Sequence, residues 1–290
     1  ISLGRKTRMS TIEAFAYFGK KYKILGLFAS LSPFMICSYY CVVGGWVVKY
    51  IWAYIWDDPS VIGQQDYFSN FCASSFESLI FVLRLLIIGI FFVAKGVKKG
   101  IERANNILMP ALIILSFLLA IWVVCQPGAL QGVQYFFTPD FSKFSVELVM
   151  EAITQTFFAL SLGLCIMVTY GSYLDKKTPL VRSARIISVI SVLVSIFAGL
   201  CIVPSAFMAS GSGDAVATNA GPALMFVTLP NVFVKFGFLA KPVGIMFFVL
   251  VFFAAITSII SLFEACVSIL MDTFKFTRKK CIICIIPIAI

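Results

Sequence analysis

Apolar runs long enough to cross a lipid bilayer dominate this chain and leave it few other ways to fold. Hydrophobic residues make up 61% of its 290 residues and charged residues only 12%. In a soluble domain about 45–50% of the residues are apolar and about 25% are charged. A helix needs about 20 apolar residues to cross the hydrocarbon core, where every backbone polar group must be paired within the protein. The sequence therefore predicts an all-α polytopic membrane protein, with one transmembrane domain over residues 1–290.

The basic residues indicate how the spans are oriented. Eighteen of the 23 Lys and Arg residues lie in four patches, which are Arg5–Lys23, Lys95–Arg103, Lys176–Arg185 and Lys275–Lys280. Patches at alternate ends of apolar spans are typical of cytoplasmic loops. The net charge of +10 is thus explained by membrane orientation and not by a nucleic-acid partner. We expect a multi-pass protein of the plasma membrane with residues 1–23 in the cytoplasm.

Spans are predicted at about 24–56, 78–94, 107–124, 144–173, 186–209 and 243–271, with the start of a further span at 281–290. Residues 210–239 lie outside and are too apolar for a solvated linker, so we expect them to fold back as an extracellular lid. The chain has no initiator Met, and its last apolar run is too short to cross a bilayer. We therefore expect it to be the middle of a longer protein, truncated at both ends.

Residue types that enzymes commonly use are scarce. The sequence has no His, which excludes Ser-His-Asp and Cys-His triads and disfavours a zinc site. The nine Cys residues lie mostly within spans, where they act as small hydrophobes. Cys281 and Cys284 have the spacing of a redox or metal pair, but an apolar setting without a second pair favours a structural role. We therefore predict that the chain is not an enzyme.

The stretch Gln155–Tyr173 contains small and hydroxylated residues at its centre, Ala159–Gly163. One interpretation is a continuous helix whose small residues pack on a neighbour. The other is a helix whose backbone opens, which requires that the freed groups meet protein, ligand or water. The stretch alone favours the continuous helix, because a single Gly costs a helix only about 1 kcal/mol.

Three further groups of polar side chains lie inside spans. They are Tyr39 with Tyr40, Thr257 with Ser258, and Gln155 with Ser191 and Ser195. A buried Tyr hydroxyl normally needs a partner. The adjacent hydroxyls of the second group either bond back to the preceding helical turn or offer oxygen ligands to a small cation. The third group has the donors to hold an anion.

A series of short motifs runs through the chain in a definite order. They are Leu3-Gly4-Arg5, Ser38-Tyr39-Tyr40 with Trp46, Lys99–Arg103 with Pro110, Phe136–Phe141, Gln155–Gly163, Thr169–Tyr173, Gly221–Pro230, and Thr257-Ser258 followed by Asp272. No single motif is decisive, but the ordered series is specific and covers essentially the whole chain. By this series the chain resembles the neurotransmitter:sodium symporter family, in particular its bacterial amino-acid transporter branch.

The resemblance implies part of a 5+5 inverted-repeat fold, with helices three to eight, the start of nine and a discontinuous sixth helix. It implies sodium-coupled symport of an amino acid by alternating access. The matching substrate positions are Ile36, Tyr40, Phe158, Ser161, Leu164, Ser258 and Leu262. Because most of these are apolar, we expect a hydrophobic or aromatic amino acid.

The resemblance also implies ion sites. One family sodium site maps onto the Ala254 carbonyl and the Thr257 and Ser258 hydroxyls. The other maps poorly, because Ala159 and Ser191 stand where the family has a hydroxyl and an Asn, so one sodium ion is indicated. Chloride is a further candidate, since Gln155 and Ser195 match the family's chloride positions, although Ala159 removes one donor.

Gates are implied as well. Tyr40 with Phe158 matches the outer gate, Tyr173 with Asp272 the inner gate, and Gly100 with Pro110 the pair that lets helix five unwind. The alternative function is a non-transporting membrane protein that binds an amino acid or acts as a scaffold. Ala159 and Ser191 favour that alternative, whereas Thr257, Ser258 and Asp272 argue against it. The expected partners are the amino acid and the bilayer, and the oligomeric state stays open.

Overall fold

The computed structural model describes residues 1–175, 177–210 and 221–289, and those residues form helices without any β-strand. In chain order the first seven helices are α1 (Ser2–Thr7), α2 (Thr11–Ala16), α3 (Lys23–Trp56), α4 (Pro59–Ile62), α5 (Gln65–Ala73), α6 (Ser75–Ala94) and α7 (Arg103–Val124). The others are α8 (Ala129–Phe137), α9 (Val146–Ala159), α10 (Ile166–Tyr173), α11 (Leu180–Ser210), α12 (Leu229–Val234), α13 (Ala240–Phe274) and α14 (Arg278–Ala289). The predicted all-α class is confirmed.

Within the described residues, five helical stretches are long and apolar enough to cross a membrane. They are Lys20–Trp56, Ser75–Ala94, Gly100–Val124, Leu180–Met208 and Gly237–Phe274. The predicted span at 144–173 is instead divided between α9 and α10. Of the predicted lid, residues 211–220 lie outside the described residues, and so does residue 290 of the predicted last span.

The two longest helices, α3 and α13, lie along each other at the centre of the bundle, and α6 packs against both. Between hydrocarbon-embedded helices, small residues allow the close approach on which packing depends. An added Cβ at Gly44 would lie 2.5 Å from a Leu85 methyl, and one at Gly45 would lie 2.8 Å from a Val82 methyl. Because Gly45 also approaches the Val82 backbone, the contact between α3 and α6 requires glycine there, whereas at Gly44 the Leu85 side chain could shift.

Replacing Gly45 with Leu is expected to destabilise the protein by about 1–3 kcal/mol, the usual result of overpacking a close contact. The added side chain would meet the backbone N of Val82, which lies 3.0 Å from the Cβ position. The thermal unfolding midpoint in detergent measures the effect. Met35→Leu on the exposed side of α3 (73% exposed) is the control, and equal midpoints for the two variants would contradict the expected role of Gly45.

Two further contacts shape the ends of the bundle. At the end predicted to be cytoplasmic, α1 packs on α10, and Arg8 Nη1 donates a hydrogen bond to the Ser172 carbonyl (3.1 Å). At the opposite end, Lys49 of α3 forms an ion pair with Glu77 of α6 (2.5 Å). The first contact joins two short helices and the second joins two long ones, at opposite ends of the bundle.

Candidate functional site

The predicted span at 144–173, the fourth along the chain, is broken, so the continuous helix favoured by its own sequence is wrong. Helix α9 ends at Ala159 and α10 begins at Ile166. Between them the backbone has positive φ at Ser161 (53°), Gly163 (83°) and Cys165 (61°). Residues other than Gly adopt this region at a cost of about 1–2 kcal/mol each, so the surrounding structure must stabilise the break.

A cavity of about 280 Å³ lies at this break and brings the predicted substrate positions together. All seven line it, namely Ile36, Tyr40, Phe158, Ser161, Leu164, Ser258 and Leu262. They come from α3, from the broken span and from α13. We call this space the inner cavity.

A second cavity of about 310 Å³, the outer cavity, adjoins the first. Tyr40, Phe158 and Ser258 line both cavities, whereas Met225 lines only the outer one of the two. The two residues predicted as the outer gate thus lie on the boundary between the cavities. Such a position is suited to controlling passage from one space to the other.

The predicted sodium ligands lie in one turn of α13. The Thr257 hydroxyl donates to the carbonyls of Phe253 and Ala254 (both 3.0 Å), and the Ser258 hydroxyl donates to the Ala254 carbonyl (3.1 Å). A hydroxyl that donates its hydrogen keeps its oxygen lone pairs. These bonds are therefore compatible with simple back-bonding to the preceding turn. They are equally compatible with coordination of a cation by the same oxygen atoms.

Three polar residues of the inner cavity, Asn105, Tyr170 and Ser261, are not among the positions predicted from the sequence. The Tyr170 hydroxyl donates to Ser261 Oγ (2.8 Å), and Ser261 Oγ donates to the Thr257 carbonyl (2.9 Å). A line of hydroxyl groups thus runs along α13 beside the candidate sodium ligands. The three-residue spacing of Ser258 and Ser261 was a usable signal, because residues that far apart share a helix face.

The largest omission of the sequence analysis is Glu264. Its side chain is fully buried (0% exposed) and forms an ion pair with Arg278 of α14. The Tyr173 hydroxyl donates to Glu264 Oε1 (2.8 Å), and Arg278 Nε donates to the Val93 carbonyl (2.9 Å). A lone acidic residue within a long apolar span was the available signal, since intramembrane carboxylates are rare and paired.

Asp272, the other predicted inner-gate residue, has a different partner. The Ser10 backbone N–H donates to Asp272 Oδ2 (2.6 Å). Among the described residues the Tyr173 hydroxyl is bonded to Glu264 and not to Asp272. Tyr173 and Asp272 therefore take part in two separate hydrogen bonds at the same end of the bundle, one to Glu264 and one from Ser10.

The remaining predicted residues are less closely associated. Gln155 on α9 and Ser195 on α11 are both exposed, and no hydrogen bond joins them in the part of the chain that is described. Gly100 lies in a π-helical turn, Val97–Glu102, that leads into α7, and α7 continues through Pro110. The structure thus shows a widened turn, not an unwound segment, next to Gly100.

Residues 68–290 match the sequence pattern of the family described as "Sodium:neurotransmitter symporter family". The chain belongs to this family. It is 35% identical over 296 residues to an uncharacterized sodium-dependent transporter of Haemophilus influenzae, covering 97% of this chain and 64% of that protein. It is 34% identical over 308 residues to an uncharacterized sodium-dependent transporter of Methanocaldococcus jannaschii, covering 100% of this chain and 62% of that protein. The chain spans about three fifths of the length of these curated relatives.

A solved structure has the same fold. The crystal structure of MhsT in complex with L-phenylalanine matches with a TM-score of 0.87 and 34% identity, over 99% of this chain and 66% of that one. Membership confirms the resemblance and the multi-pass membrane fold with its discontinuous sixth helix. It also confirms that the chain is not an enzyme, because the family consists of symporters.

Proposed function

We propose that the protein carrying this chain couples the movement of sodium to the symport of a hydrophobic or aromatic amino acid by alternating access. One observation carries this proposal. The predicted substrate positions and the Thr257 and Ser258 hydroxyls line one cavity at the break between α9 and α10. Substrate and ion that share one cavity can both favour the same conformation of its lining, which couples their binding.

The lining of the inner cavity indicates the class of substrate. Apolar surface for the substrate's side chain comes from Ile36, Phe158, Leu164 and Leu262. The opened backbone around Ser161 supplies polar groups for the substrate's ammonium and carboxylate. Ligand sites are usually apolar with a few polar groups that fix orientation. MhsT, whose structure contains L-phenylalanine, supports the same class.

Sodium is the co-transported ion in this proposal, and its ligands include the Ala254 carbonyl with the Thr257 and Ser258 hydroxyls. These oxygens lie within one helical turn, and hard oxygen ligands suit a small hard cation. Ala159 and Ser191 favour one sodium ion. Gln155 and Ser195 leave chloride as a further candidate.

Two closures make access alternate. Tyr40 and Phe158 separate the inner cavity from the outer one, while the Glu264–Arg278 pair with Tyr173 closes the opposite end. If sodium and substrate both favour the outward-closed state, each raises the affinity for the other by the same factor. We place the protein in the plasma membrane with residues 1–23 in the cytoplasm.

Release to the cytoplasm is proposed to begin at the start of α7. The π-helical turn around Gly100 replaces α-helical hydrogen bonds with the rarer i→i+5 pattern, and Pro110 removes one hydrogen bond inside α7. Unwinding between these residues would admit water to the sodium ligands. The hydrogen bonds of the inner-gate residues, from Tyr173 to Glu264 and from Ser10 to Asp272, would break at the same step.

A second function, an amino-acid-binding or scaffold protein without transport, is favoured by one observation. Ala159 lines the inner cavity without the hydroxyl that the family has there. A protein that had lost ion coupling would tolerate this change. The intact hydroxyls of Thr257 and Ser258 are what favour symport over this function.

Uptake by the full-length protein in proteoliposomes distinguishes the two functions. We expect uptake of labelled L-phenylalanine or L-leucine with an inward sodium gradient, and none when choline replaces sodium. Charged amino acids serve as the specificity control. Saturable binding without uptake, from protein that elutes as a single species, would instead establish the binding or scaffold function.

A further inference from the structure

Two consecutive residues of the π-helical turn Leu224–Thr228 have different surroundings. Met225 lines the outer cavity together with Tyr40 and Phe158, whereas Phe226 is buried, with 1% of its surface exposed. π-Helical turns are rare, and those that occur often lie at functional sites. The turn therefore presents one side chain to the cavity while its neighbour is anchored in the bundle.

The anchor of Phe226 involves three helices. The Tyr50 hydroxyl of α3 donates to the Phe226 carbonyl (2.6 Å) in a buried bond between residues 176 positions apart. The Phe226 ring stacks on Phe68 of α5, with centroids 5.2 Å apart and planes 7° apart. It also stacks on Phe248 of α13, with centroids 6.1 Å apart and planes 23° apart. The rings of Trp46 and Tyr50 on α3 also contact Phe226, with centroids 5.7 and 5.1 Å away, so the residue is held by one hydrogen bond and four ring contacts.

We propose that Tyr50 is a positioning residue for the outer pathway. Through the Phe226 carbonyl it holds Met225 in the lining of the outer cavity, and we call this Met225 wall the roof. The roof limits the rate at which solutes reach Tyr40 and Phe158. This inference rests on the proposed function only in taking the outer cavity as the entry path. A buried carbonyl that loses its donor is left unsatisfied, which favours local rearrangement of the turn.

The chain offers a matched control one helical turn away. Tyr54, like Tyr50, is on α3, is 0% exposed, and has its ring against Phe248 (5.6 Å). Its hydroxyl, however, is buried without a hydrogen-bond partner among the described residues. Tyr54→Phe therefore removes the same atom as Tyr50→Phe without breaking a bond to the turn.

Cysteine labelling from outside tests the roof. Val43, which lines the outer cavity, is replaced with Cys as the reporter, in a protein whose exposed Cys72, Cys125 and Cys284 are changed to Ser. A membrane-impermeant methanethiosulfonate is added to full-length protein in right-side-out vesicles. We expect Tyr50→Phe to raise the labelling rate by about tenfold, the factor for one buried hydrogen bond.

Tyr54→Phe is expected to leave the labelling rate within about twofold of the parent, since no bond to the turn is lost. An unchanged rate in Tyr50→Phe, or an equal rise in Tyr54→Phe, would overturn the proposal. A purely structural role would lower the unfolding midpoint of Tyr50→Phe without changing its labelling. If Tyr50→Phe does not fold, Phe68→Ala, which removes the stacked ring, is judged by the same two outcomes.

Labelling needs no transport, so it separates this inference from the proposed function. Faster labelling in a protein without uptake supports the roof and rejects the symporter. Sodium-dependent uptake with unchanged labelling rejects the roof alone. The two results are therefore obtained independently.

Discussion

Replacing Glu264 with Ala is expected to lower the free energy of unfolding by about 3–5 kcal/mol, the usual cost of removing one partner of a buried ion pair. The Glu264 side chain is 0% exposed and that of Arg278 is 24% exposed. The change would leave the guanidinium with little water and no counter-charge. It would also remove the acceptor of the Tyr173 hydroxyl.

The size of this effect follows from the number of elements that meet at Glu264. Its carboxylate joins α13 to α14 through Arg278 and to α10 through Tyr173. Arg278 Nε continues the connection to the Val93 carbonyl at the end of α6. One carboxylate thus connects four helices at the end of the bundle proposed to be the inner gate.

Thermal or denaturant unfolding in detergent measures the change, with Glu13→Ala as the matched control. Glu13 pairs with Lys23 on the surface (3.2 Å, side chains 28% and 52% exposed), and such pairs contribute about 0–1 kcal/mol. The double variant Glu264→Leu with Arg278→Met should recover much of the loss, because an apolar pair replaces two buried charges. A Glu264→Ala midpoint equal to that of Glu13→Ala would contradict this account.

The sequence was informative wherever a residue's role follows from its neighbours along the chain. Apolar runs and basic patches are read from consecutive residues, so the helical class could be predicted before any contact was known. The ordered motifs placed seven positions that do line one cavity. Their roles as ligands stay predictions, because lining a cavity does not show what occupies it.

Roles that depend on distant partners could not be predicted in the same way. Nothing near Glu264 in the sequence indicates Arg278 or Tyr173 as its partners, and Tyr50 and Phe226 are separated by 176 positions. The break after Ala159 was also missed by local reasoning. Propensity counts the cost of Gly163 but not the tertiary contacts that stabilise positive φ at Ser161 and Cys165. One such contact is the bond from Cys165 Sγ to the Ala29 carbonyl (3.1 Å).

The second large effect is expected at Ser258, where replacement with Ala should raise the sodium concentration for half-maximal uptake by about 10- to 100-fold. Perturbing the partners of metal ligands already costs that much in affinity, and this change removes a proposed ligand. Ser38→Ala is the matched control. The Ser38 hydroxyl also donates to a backbone carbonyl of its own helix, that of Met35 (2.9 Å), but its residue does not line the inner cavity.

Sodium-dependent stabilisation separates loss of the ion site from loss of the fold. A ligand that binds only the folded state stabilises it by an amount that grows with the ratio of its concentration to Kd. Sodium should therefore raise the unfolding midpoint of the parent and of Ser38→Ala but not that of Ser258→Ala, while all three should share one midpoint in choline. Equal sodium-induced shifts in the parent and in Ser258→Ala would remove Ser258 from the ion site. The hydroxyl bonds of that turn would then be back-bonds to the preceding turn and nothing more.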